Sequence, residues 1–126
     1  MLHSCALVAF VPTRDLERAR SFYEEVLGLT VLDRNPGACV IDAHGTQLRV
    51  TLVEQLTPAP FTVLGWLVPD IGAAVTEFTN LGVAFQRYDG VDHDDLGAWT
   101  APGGARVAWF RDPDGNTLSL TEPPPS

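Results

Sequence analysis

At 126 residues the chain has the size of one domain, and 45% hydrophobic residues are enough to fill a core, which excludes a disordered chain. Sixteen Asp and Glu against eight Lys and Arg give a formal charge of −8, which excludes a basic surface for phosphate backbones, so nucleic acid is not an expected partner. Cys5 and Cys39 stand in no close metal spacing and read as reduced thiols. With no basic-then-apolar leader and no run long enough to span a bilayer, the chain is expected to be cytoplasmic, with no membrane partner.

Leu7 to Val11 is a continuous run of strand-forming residues that stops at Pro12, which predicts a buried strand. Leu16, Ala19, Phe22, Tyr23, Val26 and Leu27 then recur at helical spacing, with Glu17, Arg18, Arg20, Glu24 and Glu25 on the opposite face. Thr13 or Asp15 suits the start of this helix and Gly28 its end. Strands are predicted at Leu29 to Asp33, Ala38 to Ala43 and Gln47 to Glu54, joined by Asn35-Pro36-Gly37 and His44-Gly45.

Thr57-Pro58-Ala59-Pro60 interrupts both helix and ladder chemistry and reads as a linker. Beyond it, Phe61 to Val68 predicts a strand, and Ile71, Ala74, Val75, Phe78 and Leu81 form the buried stripe of a helix ended by Gly82. Strands follow at Ala84 to Tyr88, Arg106 to Phe110 and Thr117 to Thr121, the last two joined as a hairpin by Asp112-Pro113-Asp114-Gly115-Asn116. Asp89 to Gly104 is a long loop of the kind that is often functional or mobile.

The two halves repeat one pattern. Overlaying Asp15 on Asp70 brings Ala19 onto Ala74 and Tyr23 onto Phe78, and dropping one residue aligns Gly28 with Gly82. The expected organisation is a single domain, residues 1–126, made of module 4–56, linker 57–60 and module 61–121.

Two β-α-β-β-β modules, the helix Asp15-Leu16-x-x-Ala19-x-x-Phe22-Tyr23-x-x-x-Leu27-Gly28-Leu29 and the hairpin Phe110-x-Asp112-Pro113-Asp114-Gly115-Asn116 together resemble the vicinal oxygen chelate superfamily. That group includes glyoxalases, extradiol dioxygenases, and fosfomycin and bleomycin resistance proteins. The resemblance implies an α+β fold of two tandem modules, forming a curved mixed sheet around a cavity. It also implies a divalent metal held by one residue on the first strand and one on the last strand of each module. Carried over by spacing from the motifs, those positions are Val8, Thr51, Leu64 and Ser119, and none is His, Glu or Gln. Aliphatic and hydroxyl side chains do not replace such ligands, and the flanking residues do not either, so no metal and no other cofactor is expected. His3, His44 and His93 lie off the facing strands. His93 is the strongest of the three for a role, since Asp92, Asp94 and Asp95 favour its protonated form and its loop is a candidate cover.

By strand alternation Phe10 shares a face with Val8, Arg49 and Val53 with Thr51, and Trp66 with Leu64. The resemblance to fosfomycin resistance proteins turns Trp109 into the cavity, with Val107 on its face and Trp99 arriving from the long loop to cover the mouth. The ligand-binding set is therefore Val8, Phe10, Arg49, Thr51, Leu64, Trp66, Trp99, Val107, Trp109 and Ser119. An aromatic and aliphatic lining with one arginine suits a flat hydrophobic or aromatic molecule; the same aromatics would otherwise pack a filled core. The resemblance is closest in character to the metal-free bleomycin-resistance-like branch. It implies a metal-independent binding protein that sequesters such a compound, with antibiotic resistance as one role, and a homodimer as the expected assembly. The alternative is a glyoxalase-like lyase, isomerase or dioxygenase with a displaced metal site. Its base would have to be His93, Asp42 or Cys39, none of them well placed, so no catalytic residue is assigned.

Overall fold

The computed structural model describes residues 1–125. The chain divides into two compact units, one from Met1 to Thr57 and one from Pro58 onward. Each has the same build: a strand, a helix, and three further strands in one mixed four-stranded sheet.

In module one, β1 (Val8–Thr13), β2 (Thr30–Asn35), β3 (Ala38–Ala43) and β4 (Thr46–Leu52) are ordered β1-β4-β3-β2. The β1–β4 pair is parallel and the others antiparallel. β1 runs on through Pro12, where the sequence predicted its end. As an edge strand it bonds on one side only, and a residue without an N–H is tolerated there. Val11, Thr13, Leu48, Val50, Cys39 and Ile41 fill the face that meets helix α1 (Leu16–Arg20) and the π-helical turn that continues it (Ser21–Val26), where Ala19 and Tyr23 are buried. The predicted α-helix thus widens in its second half: Leu27 N–H donates to Phe22 O, five residues back. Fully burying Val11, Leu48, Val50 and Ile41 stabilises by about 1.5–3 kcal/mol each.

In module two, β5 (Thr62–Leu67), β6 (Trp99–Thr100), β7 (Arg106–Arg111) and β8 (Thr117–Glu122) are ordered β5-β8-β7-β6. Helix α2 (Ile71–Asn80) packs on β7 and β8, and Phe110 meets Phe78 and Phe85 at 6.1 and 5.5 Å. The turn between β7 and β8 is fastened by Asp112, whose Oδ1 accepts the N–H groups of Asp114 and Asn116.

The sequence repeat is visible in the helix starts. Asp15 caps α1 by accepting Arg18 N–H at 3.0 Å, and Asp70 caps α2 by accepting Ala73 N–H at 3.0 Å. Gly28 and Gly82, at φ +76° and +96°, take the left-handed conformation that turns the chain out of each helix. One predicted strand is absent. Ala84 to Tyr88 makes a single bridge, Gln86 to Trp109, and the edge of the sheet is instead Trp99–Thr100, paired with Val107 and Arg106. No helix among the described residues is long and apolar enough to cross a membrane.

Candidate functional site

Each sheet has one face against its helix and one face away from it, and the expected ligand-binding residues lie mostly on the latter. In module one the register sets Phe10 beside Arg49 and Pro12 beside Thr51. Val8, Phe10, Arg49 and Thr51 alternate with the buried Val11, Leu48 and Val50, which places all four on the face away from α1. Phe10 is 62% exposed there. Arg49 has no side-chain hydrogen bond or ion pair among the described residues, Asp42 included; the Asp42 carboxylate accepts Gly45 N–H at 2.8 Å in its own turn.

In module two the face away from α2 carries Trp99, Val107, Trp109 and Ser119, since Val107 pairs with both Trp99 and Thr121, and Trp109 pairs with Ser119. Leu64 and Trp66 are not on it. A regular β5–β8 ladder would set Leu64 opposite Ser119, but the register shifts between Thr62 and Leu64, so Leu64 pairs with Leu118, Trp66 with Leu120, and Gly65 with Ser119. Leu118 and Leu120 belong to the α2 side with Ala108 and Phe110, and Leu64 and Trp66 go with them. This corrects the expectation that Trp66 and Trp109 share a face. It also moves the first-strand position that corresponds to Val8 to Val63, again seven residues before the capping Asp.

Trp109 is the centre of an aromatic group. Trp99 lies 6.0 Å from it at a tilt of 30°, while Tyr88 (5.5 Å) and His93 (6.0 Å) meet it edge-on. These separations are those of favourable ring pairs. Trp99 was expected as a cover on a loop; it is instead held in the sheet as half of β6. Gln86, Tyr88 and His93 complete the wall and were not assigned to the site from sequence. Only the run of aromatics flanking the loop signalled them.

His93 is held at both ring nitrogens. Nε2 accepts Tyr88 N–H at 3.0 Å and Nδ1 lies 2.7 Å from Gly97 O, the bonding of a neutral imidazole with its proton on Nδ1. His93 is therefore a clasp that joins Tyr88 to Gly97. Asp94 fastens the same segment. Burial would push its carboxyl up, but the Ala98 N–H, the Arg106 guanidinium at 2.6 Å and the Leu96 N–H outweigh that and hold it below the usual carboxylate range. Arg87 adds bonds to the carbonyls of Asp94 and Asp95.

The third nominated base, Cys39, lies on the helix side of module one, where burial pushes its thiol up. It lines a cleft of about 210 Å³ with Leu16, Glu17, Arg20 and Arg34. The charges of that cleft satisfy one another: Arg20 bonds Glu17 and Glu24 at 2.5 Å, an arrangement that lowers the Glu17 carboxyl and keeps Arg20 protonated.

The metal implied by the fold family is not matched by these residues. Val8, Thr51, Val63 and Ser119 offer no nitrogen or carboxylate, and no group of three or more His, Cys, Asp or Glu among the described residues is arranged to hold an ion.

A sequence profile of the Glyoxalase/Bleomycin resistance protein/Dioxygenase superfamily matches residues 2–120, and the chain belongs to that superfamily. Solved structures agree. TnmS3, an antibiotic binding protein from a Streptomyces species, is 28% identical, with 98% of each chain covered and a TM-score of 0.71. A superfamily member from Sphaerobacter thermophilus is 26% identical, with 98% of this chain and 100% of that one covered and a TM-score of 0.75. A lactoylglutathione lyase from Agrobacterium tumefaciens, 19% identical over 94% of this chain and 93% of its own, shares the fold at a TM-score of 0.71. No curated protein matches the sequence.

Proposed function

We propose that this protein is a metal-independent binding protein that sequesters a flat, largely apolar aromatic compound, an antibiotic being one such class. The observation that carries the reading is the Trp99–Trp109 pair on the face of module two away from its helix, where the superfamily's metal-ligand position is the hydroxyl of Ser119. Stacking on a half-buried indole supplies affinity without chemistry, and ring pairs contribute about 0.5–1.5 kcal/mol beyond the area they cover. On the corresponding face of module one, Arg49 has no protein partner among the described residues and suits an anionic or carbonyl oxygen of a ligand on that face.

Two further points support binding over catalysis. The residues nominated as bases are committed elsewhere: His93 to two backbone groups, Asp42 to a turn, and Cys39 to the side facing the helix. The 28% identity to an antibiotic binding protein over 98% of both chains favours the same class of activity. The proposal extends to a cytoplasmic homodimer, for which the exposed Phe10 on edge strand β1 and Leu67 on edge strand β5 are the apolar surface to cover; sedimentation equilibrium measures it.

The test pairs two titrations of the purified protein. Calorimetry with nickel, zinc, manganese and iron(II) is expected to show no stoichiometric heat, and fluorene-2-carboxylate, as a flat aromatic probe, to quench tryptophan fluorescence saturably. One tightly bound metal per chain, with no saturable quenching, would overturn the proposal in favour of glyoxalase-like chemistry.

A further inference from the structure

We infer that the Ser119 hydroxyl selects among aromatic ligands on the module-two face by hydrogen bonding to a carbonyl-type oxygen at the ligand's edge. This rests on the aromatic-binding reading above and names the ligand class within it.

Ser119 is 6% exposed and sits in β8 between Gly65 of β5 and Trp109 of β7. Its Oγ has no hydrogen-bond partner among the described residues, yet no fully buried side-chain nitrogen or oxygen among them is left unpaired. The little of Ser119 that is exposed must therefore include its Oγ. A hydroxyl so enclosed, cut off from most of the water that would satisfy it, costs free energy unless something bonds it.

Gly65 keeps that approach clear. A Cβ at position 65 would stand 2.9 Å from Ser119 Oγ, so any other residue there would crowd the hydroxyl. The sheet register places Thr117, Thr121 and Arg111 on the same face as Ser119 and Trp109. Arg111 and the tryptophan N–H groups can only donate, the hydroxyls of Ser119, Thr117 and Thr121 can donate as well as accept, and none of the residues that the register places on this face is a carboxylate. A ligand complementary to such a face brings acceptors. A flat ring system stacked on Trp109 with a ketone oxygen at its edge satisfies both requirements, because a site built around a hydrogen bond discriminates against the analogue that lacks it.

The experiment compares 9-fluorenone-2-carboxylate with fluorene-2-carboxylate, which differ by one carbonyl oxygen, in calorimetric titrations of the wild type and of Ser119→Ala, Ser119→Thr and Trp109→Ala. The wild type is expected to prefer the ketone by about fivefold, the net worth of one hydrogen bond. Ser119→Ala should abolish the preference by lowering 9-fluorenone-2-carboxylate affinity about fivefold, and Ser119→Thr should restore it, with a single cooperative melting transition in each variant showing that the fold is intact. A preference that survives in Ser119→Ala, with binding of both probes lost in Trp109→Ala, overturns the inference and leaves the stacking reading standing. Binding of neither probe to the wild type overturns both.

Discussion

Gly65 and Ser119 lie side by side across the β5–β8 ladder, so close that a methyl group on residue 65 would press on the serine hydroxyl at 2.9 Å and approach the Ser119 carbonyl at 3.6 Å. The hydroxyl can turn away, and the carbonyl contact is ordinary. Gly65→Ala is therefore expected to fold, with Ser119 forced off its preferred rotamer at a cost of about 0.5–1.5 kcal/mol. In a Ser119→Ala background the obstruction is gone, and the same substitution should be neutral or stabilising by up to about 1 kcal/mol through the unfolded chain. Urea unfolding of the two single variants and the double variant gives the coupling. Additive effects would show that residue 65 does not act on the serine.

The register shift that seats Gly65 there also separates the tryptophans. Trp66 shares a face with Leu118 and Leu120, while Trp109 shares one with Ser119. Trp66→Ala is expected to lower stability by about 3 kcal/mol or somewhat less, as Trp66 is only half-buried, and to leave aromatic affinity near the wild-type value. Trp109→Ala is expected to weaken a stacked ligand by about 1 kcal/mol or more. Thermal melting together with fluorene-2-carboxylate titration distinguishes them, and an affinity loss confined to Trp66→Ala would reverse the assignment.

The β-α-β-β-β repeat was readable because it rests on short-range chemistry. Asp15 and Asp70 cap their helices with the same geometry, and glycines end both. Alternation alone placed Val8, Phe10, Arg49 and Thr51 on one face, because β1 and β4 pair without interruption. The same rule misplaced Leu64 and Trp66, since one extra residue in β5 inverts every side chain after it and leaves no mark in composition. Overlaying the two capping aspartates without an offset would have named Val63 and Gly65 instead. The wall around Trp109 was hidden for a different reason: Tyr88 and His93 are held there by bonds from the His93 ring to the backbone of Tyr88 and Gly97, in a segment with no periodicity.

The two thiols should behave differently. Cys5 is exposed, whereas Cys39 is 3% exposed and burial pushes its thiol up, which lowers the fraction of reactive thiolate. Iodoacetamide at about pH 8 is expected to label Cys5 in the native protein and Cys39 only after denaturation, as read by peptide mass spectrometry. Native labelling of Cys39 at a rate similar to Cys5 would contradict the packing of β3 against α1.

Asp94 gives the segment before β6 a dependence on acid. Its carboxylate accepts Leu96 N–H and Ala98 N–H through Oδ1 and the Arg106 guanidinium through Oδ2. Because these bonds outweigh burial and lower the carboxyl below its ordinary value of 3.8, the unfolded chain binds more protons than the folded one as that value is approached. The stabilisation is thus complete above the ordinary value and is lost as pH falls through the lower, folded one. Asp94→Asn keeps an oxygen for the two N–H groups but removes the charge that holds Arg106. The wild type should exceed this variant in urea midpoint at neutral pH, and the difference should shrink as pH falls below the ordinary carboxyl value of 3.8. The protection factor of the Ala98 amide, its exchange rate corrected for the intrinsic effect of pH, should fall over the same range in the wild type. A stability difference that stays constant across that range would show that ionisation of Asp94 does not stabilise the segment before β6.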